Sequence, residues 1–205
     1  MARSIRLVIP DSGVLISLAQ GDLLDLLTVF HAHIQIVITD VVEYEVRRRI
    51  DIEDAQLIRA FLSRNAARIQ VEATSFGPLL RTIRDHPEIQ LPDDVGELSI
   101  YSYINTTRKS NPGEATLILF EDDWFIRNAV RPGNAYLLST HAFLDGLERI
   151  APEFSSTHAL NEILKRRPAF QFARLDDSAS KIPGGTEWQP AVDVAAIAKV
   201  GRRRR

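Results

Sequence analysis

The chain of 205 residues contains no cysteine. That excludes disulfides, thiol catalysis and cysteine-ligated zinc sites, and it suits a reducing, cytoplasmic setting. Long hydrophobic runs are also missing. No window approaches the roughly 18 apolar residues that mark a membrane span. The early apolar run in MARSIRLVIPDSG is short and ends at Pro10 and Asp11, so no signal peptide is expected. Neither charge sign dominates: 27 acids face 25 Lys and Arg, for a net charge of −2. A chain so balanced is no general polyanion binder, and contact with nucleic acid would need a local basic patch. The glycines form no GxxxxGKS or GxGxxG phosphate loop. There is no nucleophile elbow to support Ser-His-Asp catalysis. Asp11 lacks the second aspartate two residues on that a haloacid-dehalogenase-type phosphatase would carry. A receiver domain would want paired acids at the first strand end, and only Asp11 is there. No internal repeat is visible.

What is present is a core and an alternation. Hydrophobic residues make up 45% of the chain, enough for a sizeable interior. The length suits one domain with an appendage. IRLVI (5–9), IQIVIT (34–39), TLILFE (116–121) and AYLLST (135–140) read as strands, and RIQVEA as a short strand or a loop. Helices are predicted over SGVLISLAQ and GDLLDLLTVF with a break near Gly21, then over about 40–49, 51–66, 77–85 and 94–106. DWFIRNAV, HAFLDGLERI and HALNEILKRR also read as helices. Strand and helix repeated in this way imply an α/β fold, a three-layer α/β/α sandwich around a mostly parallel sheet. Residues 1–167 are assigned to this domain. Residues 168–205 read as an arm or tail. KIPGGTEWQP has no period, AVDVAAIAKV could form a short helix, and Arg202 to Arg205 suit either RNA binding or a disordered end.

Acids recur where strands end or helices begin. Asp11 follows the first strand, Glu45 lies early in the helix after the second, Glu97 sits in DDVGELSIYSYI, and Asp122 and Asp123 follow the third long strand. In open α/β sheets, ligands bind outside the carboxyl ends of the strands. Acids gathered there would form an oxygen-rich cage for Mg²⁺ or Mn²⁺. Each also has an ordinary explanation. Asp11 would N-cap the first helix, with Ser12 and Gly13 completing the turn. Asp40 with Glu43, and Asp94 with Glu97, have capping-box spacing. Asp122 or Asp123 would cap a helix starting at Trp124. Glu45 differs, because it shares a helix face with Val41 and Val42, and an inward acid needs a partner. Arg127, one turn after Asp123, would face either RNA phosphate or solvent.

In order and spacing these segments resemble the PIN domain, the fold of many bacterial VapC-type toxin ribonucleases, over roughly residues 5–150. VIPDSGVLISLA looks like its first strand and leading aspartate. ITDVVEYEV resembles its second acidic segment, and DDVGELSIYSYI the Gly-Glu version of the third. LILFEDDWFIRNA resembles the strand that ends in a Thr-x-Asp or Asp-Asp pair. Glu121 stands where Thr is common, which aligns Asp123 with the usual acid and leaves Asp122 as the alternative. AYLLSTHAFLDGL resembles the closing strand and its Gly-Thr turn, with Ser139 in place of the Gly.

The resemblance implies a metal-dependent endoribonuclease, the toxin of a toxin–antitoxin pair, often homodimeric and bound by a small antitoxin. Asp11, Glu97 and Asp123 (or Asp122) would hold one Mg²⁺ or Mn²⁺, and Glu45 a second ion or its water. Ser12, Thr140 and Arg127 would contact the acids or the RNA. A DNA-directed nuclease and a catalytically inactive RNA- or protein-binding module of the same fold stay open. Elsewhere, His31 and His33 sit two apart without further ligands, and Tyr101 is expected to pack rather than to stack on bases.

Overall fold

The computed structural model describes residues 4–48, 52–86, 88–107, 114–121, 123–128, 135–168, 176 and 188–202. Among these residues, five parallel strands form a sheet: β1 (Ser4–Pro10), β2 (Gln35–Thr39), β3 (Ile69–Glu72), β4 (Glu114–Phe120) and β5 (Ala135–Ser139). Their order is β3-β2-β1-β4-β5. RIQVEA thus contains a strand, at the sheet edge beside β2. Helices flank the sheet, as the α/β/α expectation required. The central strands read as unbroken apolar runs because both faces are covered. Val8, Ile9 and Leu117 to Phe120 are fully buried.

The chain steps outward from β1 through β2 to β3, then crosses back to place β4 on the other side of β1. The order therefore reverses between β1 and β4, and the crevice outside their carboxyl ends is the switch point of the sheet.

The connecting helices are α1 (Ser12–Gln20), α2 (Asp40–Arg47), α3 (Glu53–Arg64), α4 (Gly77–Asp85), α5 (Val95–Thr107) and the single turn α6 (Trp124–Arg127). After β5 come α7 (Thr140–Ile150) and α8 (Ser156–Arg166). GDLLDLLTVF gives only a short 3-10 turn, Leu24–Thr28, rather than a second helix. Its leucines are buried nearly all round, so core packing and not helical period explains their density. Most of the core is one cluster. A smaller one joins Val41 of α2 to Leu80 and Ile83 of α4 and to Leu91 and Val95.

The capping boxes take another form. Thr39, not Asp40, caps α2: its hydroxyl accepts from Val42 N at 3.3 Å. Asp40 accepts instead from Val41 N and from Thr74 Oγ1. Glu43 pairs with Arg47 at 2.9 Å. Asp94 has φ 64, the left-handed region, unlike the extended backbone of an ordinary N-cap.

The segment after Pro168 packs on the domain wherever it is described. Trp188 is fully buried against Phe143, its Nε1 donating to Asp176 at 3.2 Å. Asp176 bridges to Leu138 of edge strand β5, and Val192 to Phe30. Then α9 (Val194–Arg202) closes the described chain. Phe170, Phe172 and Arg203 to Arg205 lie outside the described residues. Among those described, no helix is long and apolar enough to cross a membrane.

Candidate functional site

Asp11 is where local sequence and sheet topology meet. Pro10 ends β1, and the next amide, Asp11 N, donates to Leu119 O at 2.9 Å, tying the turn to β4. Asp11 then caps α1 as its sequence suggests, with Oδ1 accepting from Val14 N at 2.7 Å. Its other oxygen, Oδ2, accepts from Glu121 N at 3.1 Å. Main-chain donors from the first turn of α1 and from the end of β4 thus orient one nearly buried carboxylate.

Glu121 is the residue that sequence reasoning passed over. It follows β4 as Asp11 follows β1, and it is 2% exposed. A carboxylate so placed needs a cation. Arg167, at the end of α8, supplies it, with Nη1 2.7 Å from Glu121 Oε2 and also 2.7 Å from Ser17 Oγ. The signal was present: TLILFE ends in an acid where VIPD does. Its partner, 46 residues on in the run KRRP, had no visible link to it.

Gly13 marks how close the two acids come. A Cβ built on it would lie 3.0 Å from Glu121 Oε2 and 3.5 Å from Asp11 Oδ1. Any side chain at Gly13 would push into this pair.

Glu45 and Glu97 stand on a second pair of elements, the packed helices α2 and α5. The Glu45 carboxylate lies against the backbone of Gly96, its oxygens 2.8 and 2.9 Å from where a Cβ would stand. Only glycine permits that approach, and Glu97 is the next residue. Both acids are half-buried. Beneath them, Thr39 Oγ1 and Ser99 Oγ are 2.7 Å apart, and Ser99 donates to Gly96 O at 2.6 Å. This chain of hydroxyls fixes the start of α2 against the first turns of α5.

The fourth acidic position is less gathered. Asp122 lies outside the described residues. Asp123 is exposed and pairs with Arg127 Nε at 2.8 Å, one helical turn on. Ser12 opens α1 and is half-buried. Thr140 is buried, its hydroxyl turned toward Phe120 O at 3.4 Å, so it links α7 to the end of β4. His141 pairs with Asp145 at 3.1 Å. The rings of His31 and His33 stack, 5.7 Å apart. Tyr101 is exposed, and Tyr103 is the tyrosine of α5 that packs inward.

The carboxylates at these strand and helix ends suit a hard divalent cation in kind. Among the described residues, however, no three Asp, Glu, His or Cys side chains are grouped closely enough to hold one. The structure brings Asp11 to Glu121 and Glu45 to Gly96. Compared with protein-family models, with curated proteins and with solved structures, the chain gives no match.

Proposed function

We propose that the protein is a divalent-metal-dependent endoribonuclease of the PIN type, the toxin member of a toxin–antitoxin pair. The observation that supports this reading is the Asp11 carboxylate at the switch point, oriented by one amide from the first turn of α1 and one from the end of β4. A carboxylate held so firmly at a sheet's ligand-binding edge is pre-arranged to act on something there. Asp11, Glu97 and Asp123 would hold the ion, with Asp122 as the alternative, and Glu45 would serve a second ion or its water. A bound Mg²⁺ or Mn²⁺ supplies water of lowered pKa and offsets phosphate charge.

The protein's own groups set the rest. The amides of Val14 and Glu121 hold the Asp11 carboxylate in one orientation. The hydroxyls of Thr39 and Ser99 tie the start of α2, the helix of Glu45, to the first turns of α5, the helix of Glu97. Arg127 is exposed, and RNA phosphate would compete with Asp123 for its guanidinium. An antitoxin, a homodimer and a cytoplasmic location belong to the same proposal.

The test is cleavage of single-stranded RNA by the purified protein, in Mn²⁺ and in chelator, beside DNA of the same sequence. Metal-dependent RNA cleavage that Asp11→Asn abolishes is the expected result. Preferential DNA cleavage would make the protein a DNA-directed nuclease. RNA binding with no cleavage under any metal would make it a binding module.

A further inference from the structure

From Ala55 to Val71 the chain carries Arg59, Arg64 and Arg68 and no acid. An exposed cation without a carboxylate is ordinary, since water serves it. Arg68 is placed differently. Its Nε and Nη2 are both shut from solvent, and neither has a hydrogen-bond partner. The Nε of Arg59 is in the same state. Buried donors of a charged group are costly to leave unmade. Nε and Nη2 also form one edge of the guanidinium, the fork that grips two oxygens of one anion at once.

The surroundings of this fork are polar. Arg68 ends the turn after α3, one residue before edge strand β3. Ile69 is level with Ile36 of β2, so Arg68 comes level with Gln35. Gln35 and Gln70 are exposed, and Gln35 Nε2 donates to Gln70 Oε1 at 2.5 Å. Arg64, the exposed last residue of α3, stands four positions before Arg68. All of this lies at the amino ends of the strands, whereas Asp11 follows the carboxyl end of β1.

We propose that Arg68, with Arg64 and the amides of Gln35 and Gln70, is a phosphodiester-binding site that holds single-stranded RNA at the amino end of the sheet. The inference rests on the RNA part of the nuclease reading and gives the substrate a contact that needs no metal. A carboxylate offers the same two oxygens as a phosphate. A backbone that repeats its anion suits two nearby arginines with no acid between them and exposed amide donors beside them. Arg68 is half-buried, so rotation about its own side-chain torsions turns the fork to a phosphate at the surface.

The experiment is binding of a labelled single-stranded oligouridylate to the full chain in chelator, across a salt series. Wild type is compared with Arg68→Gln, Arg68→Lys and Arg68→Met, and each protein is also unfolded thermally without RNA. Arg68→Gln should bind roughly tenfold more weakly. Its plot of log K against log salt should be shallower by about 0.7, the share of one phosphate contact on a single strand. Arg68→Lys should keep the slope and still bind more weakly, because a point charge does not grip two oxygens. Arg68→Met keeps an apolar stem without the unpaired donors, and its Tm should be no lower than that of wild type.

A lower Tm for Arg68→Met would show that the guanidinium is held within the protein, and would overturn the site. Equal affinity and slope in wild type and Arg68→Gln would also overturn it. Preference for polyglutamate over the oligouridylate at matched charge would assign the fork to an acidic protein segment instead. If wild type bound no oligouridylate, the inference would fall, and RNA cleavage by the same protein in Mn²⁺ would show that the nuclease reading stands without it.

Discussion

The indole of Trp188 fills the space that a side chain on Gly146 would need. A Cβ on Gly146 would come within 2.2 Å of the ring, and Gln189 Nε2 donates to Gly146 O at 3.1 Å. The C-terminal segment is therefore seated on α7 by shape as well as by area. Gly146→Ala should destabilise the protein by about 1–3 kcal/mol despite the better helix propensity of Ala, because the ring has a packed core behind it. Trp188→Ala should cost about 3–5 kcal/mol. Urea denaturation of both variants checks this. A Gly146→Ala protein as stable as wild type would show that the segment is not held as described.

Asp11 is the acid on which the metal reading depends most. Asp11→Asn keeps the shape and can still cap α1, but its NH2 cannot accept from Glu121 N as Oδ2 does, so each protein is compared with itself in the presence and absence of Mn²⁺. At a Mn²⁺ concentration about 100 times the Kd, wild type should gain roughly 2.7 kcal/mol, which is about 5–11 °C in Tm for a domain of this size. Asp11→Asn should lose most of that gain. Scanning calorimetry with and without Mn²⁺ measures it. Equal gains in both proteins would remove Asp11 from the site.

Glu45 and Glu43 lie two residues apart on α2 and should behave differently. Glu43 forms a partly exposed i,i+4 pair with Arg47, and Glu43→Gln should cost no more than about 0.5 kcal/mol and leave cleavage intact. Glu45→Gln removes charge beside Gly96 and Glu97 and should reduce RNA cleavage by at least about 100-fold, on the order of losing one charged group at a reacting centre. Turnover measured on both proteins decides. If Glu43→Gln were the inactive one, the cleft would face the other side of α2.

Thr39 caps α2 and shares its hydroxyl with Ser99 in a buried place. Thr39→Ala should cost about 1–2 kcal/mol through the lost cap. It also leaves Ser99 with one fewer partner. Because the same hydroxyls align α2 with α5, catalysis should fall along with stability, whereas Ser139→Ala at the cap of α7 should affect stability alone. Paired denaturation and cleavage measurements separate the two.

The sequence by itself determined the alternation of elements and the placing of acids at their ends. Short β-branched runs between amphipathic stretches suffice for a parallel α/β sheet, since burial on both faces dictates composition along each strand. Asp11 as cap and strand-end acid was legible because both roles depend on its immediate neighbours. The edge strand Ile69–Glu72 stayed ambiguous, as a short strand with one exposed side carries little apolar signal. The cap of α2 was misassigned by one residue, because Thr39 and Asp40 are both good caps and only the buried link to Ser99 favours Thr39. Tertiary structure alone decided that Glu121 lies buried beside Asp11 with Arg167 as its cation, and that Trp188 lies over Gly146. These pairs join separate elements far apart in the chain, Glu121 and Arg167 by 46 positions, and nothing local specifies them. They arise only when the strand order β3-β2-β1-β4-β5 brings the ends of β1 and β4 side by side and α8 packs back on α1.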